Sequence, residues 1–351
     1  MNELKWAVLG TGVIANEMAQ ALHNVGRTLY GVCNRTYDKA VSFAEKYHVE
    51  KVYTSYNEMY EDSSVDVIYI TTPHNTHYEF IRQSLLHGKH VLAEKSITLN
   101  SSELNKLKAL ADEKGLVLAE AMTIWHMPLY KKLWQIVESG QIGRPQMITM
   151  NFGSFKDYDM TNRFFNISLA GGAMLDIGVY ALSIVRSFMC ESPDQILSQM
   201  KPAPTGCDEQ ASILLMNPSG QMATVALSMH SKQPKRAMIS CEKAYIEIME
   251  YPRADHAVIV DAETGKQTII EAGRTSNALQ YELEDMETAI LTGNTTIMKL
   301  RESSDVMDIM TKLRSDWRLS QATALGARMC FGTFFFILFV SNCGQNLSNM
   351  L

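Results

Sequence analysis

The sequence predicts an α/β protein in which an N-terminal doubly wound parallel sheet is joined to a C-terminal α+β domain with a largely antiparallel open sheet. Three observations carry this reading. Apolar runs with little polar alternation trade places with amphipathic stretches as far as residue 121, the pattern of strands covered on both faces by helices. From about 194 to 271 extended segments follow one another without intervening helices, as in an antiparallel sheet. At 351 residues the chain also exceeds what one hydrophobic core usually fills.

In chain order, the first domain (1–121) offers strands at WAVLG (6–10), LYGVCN (29–34), KVY (51–53), VDVIYI (65–70), HVLAEK (90–95) and LVLAEA (116–121). Helix-like stretches separate them, with Asn100 placed to cap one start and Gly88 and Gly115 to close ends. The second domain (122–318) opens with the helical KKLWQIVESG, a Gly-Arg-Pro turn and the strand QMITMNF. An apolar helix at GGAMLDIGVYAL (171–182) and seven short strands follow, and the helices NALQYELEDMETAILTG and ESSDVMDIMTKLRSDW close the domain. Residues 319–351 read as an atypical tail. Within it, ARMCFGTFFFILFV (327–340) is the most apolar run in the chain but falls short of the roughly 20 residues that a spanning helix needs.

Composition narrows the function classes. With 46% hydrophobic and 20% charged residues, a net charge of −6 and a pI near 5.9, the chain lacks the clustered basic excess of a nucleic-acid or acidic-membrane binder. A small-molecule partner is expected instead. The six cysteines are scattered without CxxC spacing, against a zinc ribbon or a disulfide framework, and with no signal-like N-terminus a reducing cytoplasm is the expected location. His74, His77 and His126 do not match a closed zinc site, so no metal is expected.

LGTGVIA (9–15) follows the first strand and opens a helix, with Gly10, Gly12 and Ala15 in GxGxxG/A spacing. Gly10 permits the tight turn, Gly12 lets backbone approach a pyrophosphate, and the helix start at Val13 and Ile14 turns its amides toward the phosphates, with Thr11 between the glycines. This is the fingerprint of a Rossmann dinucleotide site; the bland alternative is a glycine turn without a ligand. At the tip of the second strand Cys33, Asn34, Arg35 and Thr36 offer no acid before Asp38, which favours NADP over NAD. Arg35 could also be an ordinary solvated residue.

Three further segments, TTPHNTHYEF (71–80), AEKSITLN (93–100) and AGGAMLDIGVYAL (170–182), resemble the glucose-fructose oxidoreductase, inositol dehydrogenase and rhizopine-catabolism family in order and spacing along about 310 residues. EAMTIWHMP (120–128) and GGAMLDIGVY are most similar to its dimeric dihydrodiol dehydrogenase branch, in which Tyr stands where the sugar dehydrogenases have His. The resemblance implies that Lys95, Asp176 and Tyr180 line the place where nicotinamide meets substrate. It implies that Thr72, Pro73, His74 and His77 border the cofactor, that Glu94 sits beside the catalytic Lys, and that the protein is a homodimer. Two positions depart from the family pattern: Ser96 replaces the Pro of Glu-Lys-Pro, whose bond is cis in relatives, and Trp125 replaces an Arg at a position assigned to substrate binding.

The chemistry asks for little more. Hydride transfer between a nicotinamide and an alcohol or carbonyl needs a group to manage the hydroxyl proton, and a phenol serves as a base near neutrality only if a cation stabilises its phenolate. Lys95 is placed by the resemblance to supply that cation. Asp176 and Tyr180, four residues apart, share a helix face, and Gly171, Gly172 and Gly178 would let this helix approach a cofactor. Taken singly, each is as readily structural: a Tyr on an apolar face is usually a core residue, and an Asp near a helix start usually serves its amides. The expected function is an NADP-dependent oxidoreductase acting on a diol, polyol or sugar. A redox-neutral sugar-modifying enzyme and a non-catalytic NADP sensor are the alternatives.

Overall fold

The structure, a computed structural model, describes residues 3–319; the apolar run expected in the tail lies outside the described residues. Six strands form a parallel sheet: β1 (Trp6–Leu9), β2 (Gly31–Cys33), β3 (Lys51–Val52), β4 (Val67–Ile70), β5 (His90–Glu94) and β6 (Leu118–Ala121). Their order is β3-β2-β1-β4-β5-β6, with every neighbouring pair parallel. Helices α1 (Val13–Asn24), α2 (Tyr37–Tyr47), α3 (Tyr56–Glu61), α4 (His77–Leu86) and α5 (Ser101–Lys114) connect them. β1 and β4 are buried at every position, as strands covered on both faces must be. The strand order reverses between β1 and β4, so their carboxyl ends open the crevice where such sheets bind ligands.

Local chemistry fixes the connections. The Asn100 side chain accepts the Glu103 amide at 3.0 Å and caps α5, which ends on Gly115 in the left-handed region. Gly10 has φ +108°, and a Cβ there would stand 2.5 Å from Thr71 Oγ1 at the end of β4, so the first glycine is required by backbone and neighbour alike.

After α6 (Thr123–His126) and α7 (Pro128–Glu138), eight strands build the second sheet: β7 (Pro145–Gly153), β8 (Gln195–Pro202), β9 (Asp208–Met216), β10 (Met222–Ser228), β11 (Gln233–Cys241), β12 (Ala244–Met249), β13 (His256–Asp261) and β14 (Gln267–Glu271). The order is β14-β13-β12-β11-β7-β10-β9-β8, antiparallel except for the parallel pair β7 and β10. Ile148, Met150, Ile213, Val225 and Ile239 turn inward onto helix α8 (Val179–Phe188). The opposite face leaves Leu197, Leu214, Met147 and Met222 exposed.

Ile167–Phe188 is apolar enough by length and composition to cross a membrane, yet 72% of its apolar window is buried within the protein, which accounts for its composition. The two closing helices depart from the expected division at 121/122. Leu279, Leu283, Met286 and Ala289 of α9 (Ala278–Thr292) pack into the core with Trp6, Val8 and Met18 of the first sheet. α10 (Leu300–Asp316) lies against both α5 and α8. Amphipathic periodicity shows that a helix has a partner; it carries no information on which sheet the partner belongs to.

Candidate active site

At the glycine turn, Thr11, Gly12 and Val13 line a cleft of about 890 Å³ whose far wall comes from the second domain through Arg253 and Thr275. Gly12 precedes α1 with no side-chain cap on the first amides. A Cβ at Gly12 would meet no protein atom within 4 Å, so the protein's own packing does not require glycine there. That fits a position kept bare for a phosphate approached by backbone and helix dipole. Gly10 and Ile14, by contrast, face inward, Ile14 against the first core and the fully buried Ala15 beside it. At the tip of β2 the Asn34 amide donates to the Thr36 carbonyl at 3.0 Å, which shapes the turn that presents the exposed Arg35.

The loops after β4 and β5 are tied together. His77, fully buried at the start of α4, donates from Nε2 to the Thr72 carbonyl at 2.7 Å and places Nδ1 3.1 Å from the Ser96 carbonyl. His74 donates from Nε2 to the Lys95 carbonyl at 3.0 Å. Pro73 begins the short turn at His74–Thr76. The Lys95–Ser96 peptide is cis, and the Ser96 hydroxyl donates to the Leu175 carbonyl at 3.0 Å, so the loop bearing Lys95 is bonded to the helix bearing Asp176.

These ties bring Lys95, Asp176 and Tyr180 together. Lys95 Nζ donates to the Asp176 carbonyl at 2.7 Å and to its carboxylate Oδ1 at 3.3 Å, and lies 4.8 Å from the centre of the Tyr180 ring. The helix start at Met174–Gly178 is wound as a π-turn that runs into α8. Such wide turns recur at functional sites. Arg163 Nη1 stands 3.4 Å from Asp176 Oδ1, a second cation on the same carboxylate.

Burial dominates the electrostatics, and neighbouring charges decide the sign. Burial would lower the Lys95 ammonium, but Asp176, Tyr180 and Glu94 outweigh it and hold its pKa above the ordinary lysine value. Burial would raise Asp176, but Lys95 and Arg163 hold it down at about 2. Burial pushes the Tyr180 phenol up, with Lys95 opposing. Burial likewise raises Glu94, which accepts from the Tyr69 hydroxyl and faces Lys95. Burial, with the charges of His77 and Lys95, holds His74 down at about 3, so it is neutral near pH 7. Tyr180 was expected to act as a general acid/base tuned by Lys95. The cation acts in the expected direction, but the phenol keeps its proton at neutral pH.

One expectation changes. The glycines of the 171–178 stretch face protein, not a cofactor: a Cβ at Gly171 would meet the Arg163 carbonyl at 2.7 Å, one at Gly172 would collide with Asp208 Oδ1, and one at Gly178 would meet Met174 Sδ at 2.8 Å. Trp125 lines a cavity of about 530 Å³ with Trp134, Arg186 and Gln221. Its buried indole donates to Ser303 at 3.2 Å, Ser303 donates to Glu120 at 2.6 Å, and Glu120 accepts the Ile97 amide at 3.1 Å. Trp125 thus braces the loop that follows Lys95. Among the described residues no group of three or more His, Cys, Asp or Glu side chains is placed to hold a metal ion.

Sequence reasoning missed Arg163, Arg253 and Phe152. A lone Arg thirteen residues before Asp176 carries no spacing signal, and Phe152, 6.2 Å from the Tyr180 ring, reads simply as a strand residue. None of the three can be singled out until the fold brings distant segments together.

Residues 4–122 match the oxidoreductase family with the NAD-binding Rossmann fold, GFO_IDH_MocA, and residues 130–247 match the GFO/IDH/MocA C-terminal domain. Among curated proteins, the trans-1,2-dihydrobenzene-1,2-diol dehydrogenase of Xenopus laevis is 29% identical over 320 residues, covering 87% of this chain and 96% of the relative. The enzyme of the same name from Mus musculus is 27% identical over 324 residues, covering 89% and 96%. Among solved structures, KijD10, a 3-ketoreductase from Actinomadura kijaniata in complex with NADP and TDP-benzene, superposes with a TM-score of 0.80 at 21% identity, covering 90% of this chain and 98% of that one. UDP-N-acetylglucosamine 3-dehydrogenase GnnA from Acidithiobacillus ferrooxidans gives 0.77 at 19%, with the same coverage. At these identities the two structures speak for the fold. With both of its domains matched over most of the chain, this protein belongs to the GFO/IDH/MocA oxidoreductase family and is an NAD(P)-dependent dehydrogenase.

Proposed function

We propose that this protein transfers hydride between NADP and a secondary alcohol, or the matching carbonyl, of a diol, polyol or sugar. The observation that carries the reading is the convergence of Lys95, Asp176 and Tyr180 at the carboxyl edge of the first sheet. The bound nicotinamide would supply or accept the hydride, with Thr11, Gly12 and Val13 against its phosphates and Arg35 at the 2′-phosphate.

The protein's own groups manage the proton and the charge. Tyr180, protonated at neutral pH, donates to the carbonyl oxygen as negative charge grows there, and in oxidation its phenolate form takes the hydroxyl proton. Lys95 Nζ places a fixed cation beside that oxygen, and Asp176 with Arg163 fixes the orientation of the ammonium. Phe152, packed against Tyr180 and Tyr251, supplies an apolar wall suited to the C–H face of a ring.

A panel of trans-diols, polyols and sugars scored by absorbance for NADP reduction tests the reading. Net reduction with at least one class supports it. Turnover without net reduced cofactor would mean redox-neutral chemistry, and tight NADP binding with no turnover on the whole panel would mean a sensor.

The cofactor assignment predicts two further results. Gly12→Ala should melt within a few degrees of wild type, because no protein atom meets the new methyl, yet bind NADPH more weakly by tenfold or more on the order of one lost charged contact. Titration by fluorescence checks both halves. Arg35→Ala should raise the KM for NADP about tenfold, the scale of one charge-assisted hydrogen bond, and leave that for NAD almost unchanged. Equal effects on both cofactors would remove Arg35 from the 2′-phosphate. The exposed Leu197, Leu214 and Met222 of the open sheet suit coverage by a second copy, and sedimentation at micromolar concentration should find a dimer where a monomer would refute it.

A further inference from the structure

Among the described residues, Arg253 is the one that reaches from the second domain to the helix of the glycine turn as an ion pair. It ends the short turn Tyr251–Arg253 after β12, and Nη1 donates to Glu17 Oε2 on α1 at 2.8 Å. The backbone that carries it is held from three sides. The Tyr130 hydroxyl donates to the Tyr251 carbonyl at 2.5 Å, the Thr123 hydroxyl to the Pro252 carbonyl at 2.5 Å, and the Thr275 hydroxyl to the Arg253 carbonyl at 2.8 Å. The base of the side chain is therefore fixed while its head is partly exposed, 33% against 42% for Glu17.

A pair this exposed adds little to stability, so it is a poor candidate for a structural rivet. What distinguishes it is place. Arg253 and Glu17 line the same cleft as Thr11, Gly12 and Val13, the segment whose amides face a dinucleotide in the proposed function. A planar guanidinium matches phosphate oxygens in two-point geometry, and a phosphate offers it a stronger partner than a solvated carboxylate.

We propose that Arg253 is a cofactor clasp for which Glu17 and a diphosphate oxygen of the dinucleotide compete, so that binding draws the second domain onto the cofactor. The proposal rests on the reading that the glycine turn takes NADP. Because Glu17 is the competitor, removing its charge has the opposite effect from removing the guanidinium.

The test is the dissociation constant of NADPH, by protein fluorescence or calorimetry, for wild type, Arg253→Gln, Glu17→Gln and the double variant. Arg253→Gln should weaken binding about ten- to a hundredfold, the range of a charged hydrogen bond. Glu17→Gln should tighten it by about two- to fivefold, the scale of an exposed ion pair. The double variant should match Arg253→Gln. The same losses should appear with 2′-phospho-ADP-ribose, which carries the phosphates without nicotinamide. Should Arg253→Gln misfold by melting temperature, Arg253→Lys keeps the charge without the fork and should lose part of the affinity. Binding within twofold of wild type in Arg253→Gln or Arg253→Lys, weaker binding in Glu17→Gln, or a loss confined to NADPH overturns the clasp. A wild-type protein that binds neither NADPH nor NADH would instead sink the reading of the glycine turn itself.

Discussion

Tyr180→Phe is expected to bind NADPH like wild type while its turnover falls by about two to four orders of magnitude, the usual contribution of a positioned proton donor. The substitution removes one oxygen and keeps the ring that packs on Phe152, so the fold should be undisturbed. Stopped-flow measurement of a single turnover, beside a fluorescence titration of cofactor, separates the two effects. Because burial keeps the phenol protonated at neutral pH, wild-type carbonyl reduction should be flat there and decline only as the solution becomes alkaline. Alcohol oxidation should rise over the same interval. In Tyr180→Phe both pH limbs should vanish. A variant that keeps wild-type turnover would remove Tyr180 from the proton transfer.

Lys95→Met is expected to cost a comparable factor, about a thousandfold in kcat, by withdrawing the cation nearest the developing oxyanion. It should also shift the alkaline limb to higher pH, since Lys95 is the first charge opposing the burial of Tyr180. Stability carries a second signature. Asp176, held at about 2 in the folded protein by Lys95 and Arg163, contributes stability that is present above its unfolded pKa and lost as pH falls through the folded one. Without Lys95 that contribution shrinks. The difference in melting temperature between wild type and variant should therefore be largest above about pH 4 and close toward pH 2. A gap that widens in acid would contradict the assigned pairing of Lys95 with Asp176.

The fold was largely legible because its signals are local. Six apolar runs, each followed by an amphipathic stretch, gave the parallel sheet, and Gly10 announced the turn at its switch point. Asp176 and Tyr180 were visible as a four-residue pair, but no spacing connects them to Lys95, eighty-one residues earlier, and only the resemblance placed the three together. What stayed illegible depends on the approach of distant segments. Gly172 was read as clearance for a cofactor when its space belongs to Asp208, and nothing in the spacing announced the bond between the Trp125 indole and Ser303. The parallel pairing of β7 with β10 and the docking of α9 on the first sheet are of the same kind, being set by packing between elements whose patterns are compatible with several partners.

The account's central claim is that the cofactor bound at the glycine turn delivers its nicotinamide to the space shared by Lys95 and Tyr180. A crystal structure of the protein grown with NADPH measures this directly. The account predicts the pyridine ring beside the Lys95 ammonium, with its C4 facing a pocket in which a substrate carbon could sit at about 3 to 3.5 Å and share its oxygen with the Tyr180 hydroxyl. A dinucleotide whose nicotinamide points elsewhere, with protein atoms sealing Tyr180 from it, would contradict the account.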